Sequence, residues 1–124
     1  MTIKNYHLTK GLSYHFFDSQ RLARSTYEIS GLHGKGLGIK EDSTGTHIAF
    51  CGGTGVLCFI DIATHLMLLN LQKKSNGFKF ILYASFQNEK SAICLNYLKS
   101  LEHMNHVKGW NNFELKLRFS DKHK

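Results

Sequence analysis

His47-Ile48-Ala49-Phe50-Cys51-Gly52-Gly53-Thr54-Gly55-Val56-Leu57-Cys58-Phe59-Ile60-Asp61-Ile62 is a short apolar run that meets a glycine cluster and restarts as a long apolar segment. The first run is too short for a helix, so the pattern is that of a buried parallel strand turning sharply into a buried helix. Glycine lacks Cβ, tolerates positive φ and lets the backbone come within hydrogen-bonding distance of a ligand. At the start of a helix the unpaired N–H groups and the dipole together favour an anion, commonly a phosphate. Gly52, Gly53, Thr54, Gly55 and Val56 are therefore the candidate binding residues. The expected ligand is a nucleotide pyrophosphate, with the Thr54 hydroxyl free to bond whatever lies above it. The same residues also read as a plain strand-to-helix turn, because Gly-Gly-Thr-Gly is not the Gly-x-Gly-x-x-Gly fingerprint.

Downstream, the helix is expected from about Val56 to Leu71. Val56, Phe59, Ile60, Ala63 and Met67 mark one face, while Leu57, Ile62, Leu66, Leu68 and Leu69 fill the others, so it should be covered on most sides. Asp61, in its second turn, is read as structural. Lys73-Lys74-Ser75-Asn76-Gly77 closes the helix, with cations at its negative end and a glycine turn beyond. Residues 78–84 form a nearly continuous apolar run, as expected for the middle strand of a parallel sheet. Ser91 is expected to cap a second helix whose buried stripe is Cys94, Tyr97, Leu98, Leu101 and Met104. Phe113, Leu115, Leu117 and Phe119 then alternate with Glu114, Lys116 and Arg118, a strand buried on one face. The alternation of strand and helix implies an α/β unit with a parallel sheet of three or more strands and right-handed crossovers. Ligands in such sheets bind beyond the carboxyl ends of the strands. That edge collects the glycine turn and the segment Ser85-Phe86-Gln87-Asn88-Glu89-Lys90. With so little chain after the third strand, the sheet is expected to end small or to be completed by another chain.

Upstream, Thr2, Ile3, Lys4, Tyr6 and Leu8 suit a ragged strand, and Gly11-Leu12-Ser13 a turn. Residues 14–22 suit one or two helical turns, and residues 27–30 a strand. Glu41-Asp42-Ser43-Thr44-Gly45 is a polar connector, so the expected division is residues 1–40 and 41–124.

With 124 residues the chain is long enough for one domain with a real core. Its formal charge of +7 suits an anionic partner, yet the cations are scattered, with only Lys73 and Lys74 adjacent, and form no basic stripe. Nucleic acid is therefore not an expected partner. Cys51, Cys58 and Cys94 lie in apolar contexts without Cys-x-x-Cys spacing, so each is expected to be a buried small hydrophobe in a reducing compartment, cytoplasmic or mitochondrial. The longest apolar run, residues 56–71, is interrupted by Asp61 and His65 and is read as a soluble core helix rather than a membrane span. His103 and His106 lack a third ligand at sensible spacing, so no metal site is expected. The sequence identifies no catalytic residue.

Residues 31–61 resemble the junction and nucleotide loop of the ferredoxin–NADP reductase superfamily, which includes cytochrome-b5-reductase-like flavin oxidoreductases. That family carries Gly-Pro-x-Gly at the end of its flavin barrel, then a strand leading into Gly-Gly-Thr-Gly-[Ile/Val]-x-Pro. Here the first segment reads Gly31-Leu32-His33-Gly34-Lys35-Gly36-Leu37 and the second Gly52-Gly53-Thr54-Gly55-Val56-Leu57-Cys58, with Cys58 in place of the proline. The resemblance extends over roughly residues 27–104. It implies a Rossmann-like nucleotide domain preceded by a remnant of a β-barrel flavin domain. It also implies NAD(P)H on Gly53, Thr54 and Gly55, with Glu89 or Lys90 at the adenosine ribose. An acidic group there favours NADH through the 2′-hydroxyl and a basic one favours the 2′-phosphate of NADPH, so the adjacent pair leaves that choice open. The family's flavin motif, Arg-x-Tyr-[Ser/Thr], is absent, and Gly11-Leu12-Ser13 is one residue shorter than its flavin-phosphate turn. Its closing Cys-Gly-x-x-x-Met-type motif would lie beyond Lys124. The implied activity is thus that of the NAD(P)H-binding portion of a flavin-dependent oxidoreductase, passing hydride to FAD held mostly elsewhere, on a partner flavoprotein chain. The alternative is a catalytically inactive relative acting as an accessory or assembly subunit.

Overall fold

In the computed structural model, residues 12–18, 23–28, 30–31, 33–40, 42–74 and 77–121 are described, and the chain divides into two units, Met1–Gly38 and Ile39–Lys124. In the first unit, helix α1 spans Leu12–Phe17, so Leu12 and Ser13 are helical where a turn was expected. Phe16 stacks on Tyr27 with ring centroids 5.0 Å apart. The strand expected over 27–30 does not form at residues 27, 28 and 30, which are exposed. A strand requires a ladder partner, and the described residues of this unit contain no other strand to provide one. The ragged strand over residues 2–8 falls outside the described residues.

The second unit is built from strand β1 (Gly45–Gly52), a 3₁₀ turn (Gly53–Val56), helix α2 (Leu57–Leu71), strand β2 (Phe78–Phe86), a second 3₁₀ turn (Glu89–Ser91), helix α3 (Leu95–Val107) and strand β3 (Phe113–Phe119). The three strands form one parallel sheet in the order β1-β2-β3. The α/β reading with a three-stranded parallel sheet and flanking helices therefore stands, in a Rossmann-like arrangement.

Register explains the core. Because side chains alternate along a strand, Phe78, Phe80, Leu82, Ala84 and Phe86 of β2 point to one face, joined by Phe113 and Leu115 of β3. Val56, Ala63, Leu66 and Met67 from the first crossover and Leu98 and Leu101 from the second close over that face to make one hydrophobic cluster. Both helices thus lie on the same side of the sheet, as two consecutive same-handed crossovers between neighbouring strands require.

Two expectations change here. Helix α2 was expected to be covered on most sides, but only Ala63, Leu66, Met67 and Asn70 are buried, and Leu68 and Leu71 are exposed. In a two-layer structure a helix touches the sheet and one neighbour, and its outer surface stays open. With its preceding turn this helix, Gly53–Leu71, is by length and composition apolar enough to cross a membrane. Its ends are nevertheless tied to two strands paired in parallel, and its inner face forms part of the sheet's core. The second helix begins later than expected. Ser91 closes the 3₁₀ turn in a reciprocal hydrogen-bonded box with Asn88, and α3 starts at Leu95 after Cys94 in the left-handed region, φ 57°. Its buried stripe is Leu95, Leu98, Leu101 and Asn105, while Cys94 and Tyr97 are exposed.

Polar groups buried at the opposite end of the sheet from the glycine turn are paired. Asn70 and Asn112 exchange side-chain amide hydrogen bonds of 2.9 and 2.8 Å. The Asn105 side chain donates to the Phe113 carbonyl at 3.0 Å and accepts from the Asn112 N–H at 3.3 Å. Glu102 accepts the Leu115 N–H of edge strand β3 at 2.7 Å.

Candidate nucleotide-binding site

The site is assembled where β1 ends. Gly52 is the last residue of the strand, and the chain turns through Gly53 at φ 52° directly into a helical path. That φ is in the left-handed region, where an L side chain costs roughly 1–2 kcal/mol, so glycine here is a requirement of the turn. Gly52 and Gly55 are different. A Cβ on Gly52 would lie 3.9 Å from the Ser85 carbonyl, and one on Gly55 would lie 3.7 Å from Cys51 Cβ, both ordinary contacts. The chain's own sterics therefore do not demand glycine at either position. Small residues there keep clear the space in front of the helix N-terminus.

The N–H groups at that terminus have no side-chain cap, because Gly52 has no side chain to offer. Gly52, Gly53 and Thr54 are exposed, so the surface is open to solvent. Val56 is fully buried in the core, and its backbone N–H is used inside the 3₁₀ turn, so it contributes packing rather than a donor. This terminus matches the requirements of an anion site: free N–H donors, a favourable dipole and no Cβ in the path.

Gly52 also lines a hollow of about 600 Å³ with Phe50, Tyr83, Ser85, Lys116 and Arg118. Glu89 and Lys90 lie on the same carboxyl edge of the sheet, in the turn that follows β2, but border other hollows. Both are exposed, and Glu89 is ion-paired with Lys99 at 3.5 Å. The turn that carries them is anchored by Asn88, whose side chain also donates to Asp121 at 3.1 Å.

The three thiols are free. They were expected to be buried, yet Cys58 and Cys94 are exposed and Cys51 is half-buried. Cys58 sits on the outer side of α2 and Cys94 in a surface turn, positions that apolar sequence context did not distinguish from core. Burial, together with neighbouring Cys58, pushes the Cys51 thiol above its ordinary value. It is thereby kept in the protonated, unreactive form. No group of three or more potential metal ligands occurs among the described residues.

One feature of this region was not apparent from the sequence. Phe50 and Tyr83 stack beside the glycine turn, on the sheet face that the helices leave bare. The signal available was the odd-numbered and even-numbered alternation of β1, which places Ile48 and Phe50 opposite the core set. Comparison with known protein families, curated proteins and solved structures finds no match to this chain.

Proposed function

We propose that the chain holds a nicotinamide dinucleotide at its glycine turn and is the NAD(P)H-binding portion of a flavin-dependent oxidoreductase whose FAD is carried mostly by another chain. One observation carries the reading: an uncapped helix N-terminus follows a parallel strand through a turn whose glycines at 52 and 55 are not required by the fold itself. The pyrophosphate would accept from the N–H groups of Gly53 and Thr54, the donors that the 3₁₀ turn leaves free, and would lie against Gly55, while the Thr54 hydroxyl would bond the nicotinamide end. The adenosine end would extend along the carboxyl edge toward the turn after β2. There the Glu89 carboxylate is already engaged by Lys99, whereas Lys90 makes no ion pair among the described residues. A 2′-phosphate therefore has the better partner, and NADPH is the preferred nucleotide. Three free thiols fit a reducing compartment, the setting this reading assigns. Nicotinamide and flavin carry the redox chemistry when both are bound, and no residue of this chain is assigned to the hydride step. The leading unit, proposed as the remnant of a flavin barrel, offers no strand among its described residues.

A sheet of three strands among the described residues, with one bare face, favours a second reading, an accessory subunit that keeps the fold without turnover. Calorimetric titration with NADH and NADPH separates the two. Micromolar binding that prefers NADPH, is abolished by Gly53→Val and is weakened at least tenfold by Gly55→Val supports the nucleotide site. Gly55→Val is the informative variant, because a Cβ at this position meets only an ordinary contact, and circular dichroism checks that the fold is kept. Failure of both nucleotides to bind the folded chain leaves the accessory reading.

A further inference from the structure

The bare face of the sheet has a composition of its own. Registered across the three strands, it presents Ile48, Ile81 and Glu114 in one row, Phe50, Tyr83 and Lys116 in the next, and Gly52, Ser85 and Arg118 at the carboxyl end. Phe50 is 74% exposed and Tyr83 40%, and their rings stack with centroids 4.9 Å apart and planes 18° apart. Lys79 enters the face one row below Ile81, beside Glu114, which is ion-paired with Lys116. Arg118 makes no ion pair among the described residues. Three cations against one carboxylate leave the face positive, on a chain that is positive as a whole.

We propose that this face binds single-stranded nucleic acid, with a base stacked on the open face of Phe50, whose other face Tyr83 covers, and adjoining phosphates held by Arg118 and by Lys116 and Lys79, which flank Glu114. Two flat aromatic rings, one of them largely exposed, offer a sequence-tolerant stacking surface, and cations on the flanking strand follow the backbone of the strand laid across it. The hollow bounded by Phe50, Tyr83, Ser85, Lys116 and Arg118, about 600 Å³, sets the stacking surface and the cations side by side. Self-association through the same face would oppose two surfaces of like charge, which argues for an anionic occupant. Lys116 and Arg118 stand on β3 and Lys79 on β2, so the three do not form a run along the chain. Pairing in the sheet brings them together. This inference does not depend on the nicotinamide reading, which uses backbone groups at the helix N-terminus.

The test is fluorescence anisotropy of the full chain with a labelled 15-nucleotide oligo(dT) at several salt concentrations. Phe50→Ala removes an exposed side chain and leaves the fold intact, as circular dichroism should show. It is expected to weaken binding roughly tenfold, the scale of one base–aromatic stack. The double variant Lys116→Gln/Arg118→Gln is expected to reduce the slope of log K against log salt by about 1.4, from ~0.7 per phosphate contact. Lys108→Gln, at the end of α3, should change neither. The proposal is overturned if the folded chain does not bind the oligonucleotide, or if Phe50→Ala binds as tightly as the parent. It is also overturned if light scattering shows a dimer that Phe50→Ala converts to monomer. Gly55→Val, outside the face, should leave the oligonucleotide affinity within twofold, which separates failure here from failure of the dinucleotide site.

Discussion

At residue scale, two side chains show how environment sets what a residue does. Asn105 is 2% exposed and satisfies both a backbone carbonyl and a backbone N–H at the start of β3. Asn105→Leu would take the amide donor from the buried Phe113 carbonyl, at about 1–3 kcal/mol, read as a shift of the urea midpoint. Cys51 shows a pH effect of defined sign. Its thiol pKa is raised in the folded chain by burial and by Cys58, so the folded state holds that proton more tightly than the unfolded one. The corresponding stability is present in full below the unfolded thiol value, about 8.5, and is lost as pH rises through the folded value. The denaturation midpoint should therefore fall as pH rises above about 8.5. Cys51→Ala should flatten that decline, and an unchanged slope in the variant would assign the effect to other groups.

The same contrast appears at the scale of elements. Helix α2 is apolar around its whole circumference in sequence, yet only one side meets the core. Leu66→Ala, at a site 1% exposed, should cost about 2–5 kcal/mol, whereas Leu71→Gln on the outer side should stay within about 0.5 kcal/mol. Equal losses at both sites would mean that the outer side is covered in solution. Helix α3 begins at a residue under backbone strain, with Cys94 at φ 57° and no side-chain cap. Cys94→Gly relieves that conformation while adding some unfolded-state entropy, so a net stabilisation of up to about 1 kcal/mol is expected from thermal melts.

At the scale of the whole molecule, the described core belongs to the second unit. Among the described residues, the hydrophobic cluster draws its members from Ile39 onward, and the two amide networks and the ladder lie there too. A chain comprising residues 39–124 should keep the helix and strand signal of the full chain and unfold cooperatively at a similar urea concentration. Loss of cooperative unfolding in that fragment would show that the first 38 residues contribute to the core.

The order of strands and helices and the glycine turn were legible in the sequence because each is a local pattern. Apolar runs of strand length, a helix-length run and glycines at their junction sit within a few residues of one another. Ser91 misled because a capping residue signals a turn as well as a helix start, and here Asn88 claims it for the turn. The bare face was illegible for a different reason. Continuous apolar character in β2 suggested cover on both sides, but the strand order β1-β2-β3 puts both crossovers on one side and leaves Ile48, Phe50 and Tyr83 uncovered. Sequence by itself determined which segments become strands and helices and where the backbone needs glycine, because those follow from side-chain period and local sterics. Only the tertiary structure decided which side of each strand is covered and which distant cations become neighbours, because parallel pairing joins residues about thirty positions apart along the chain.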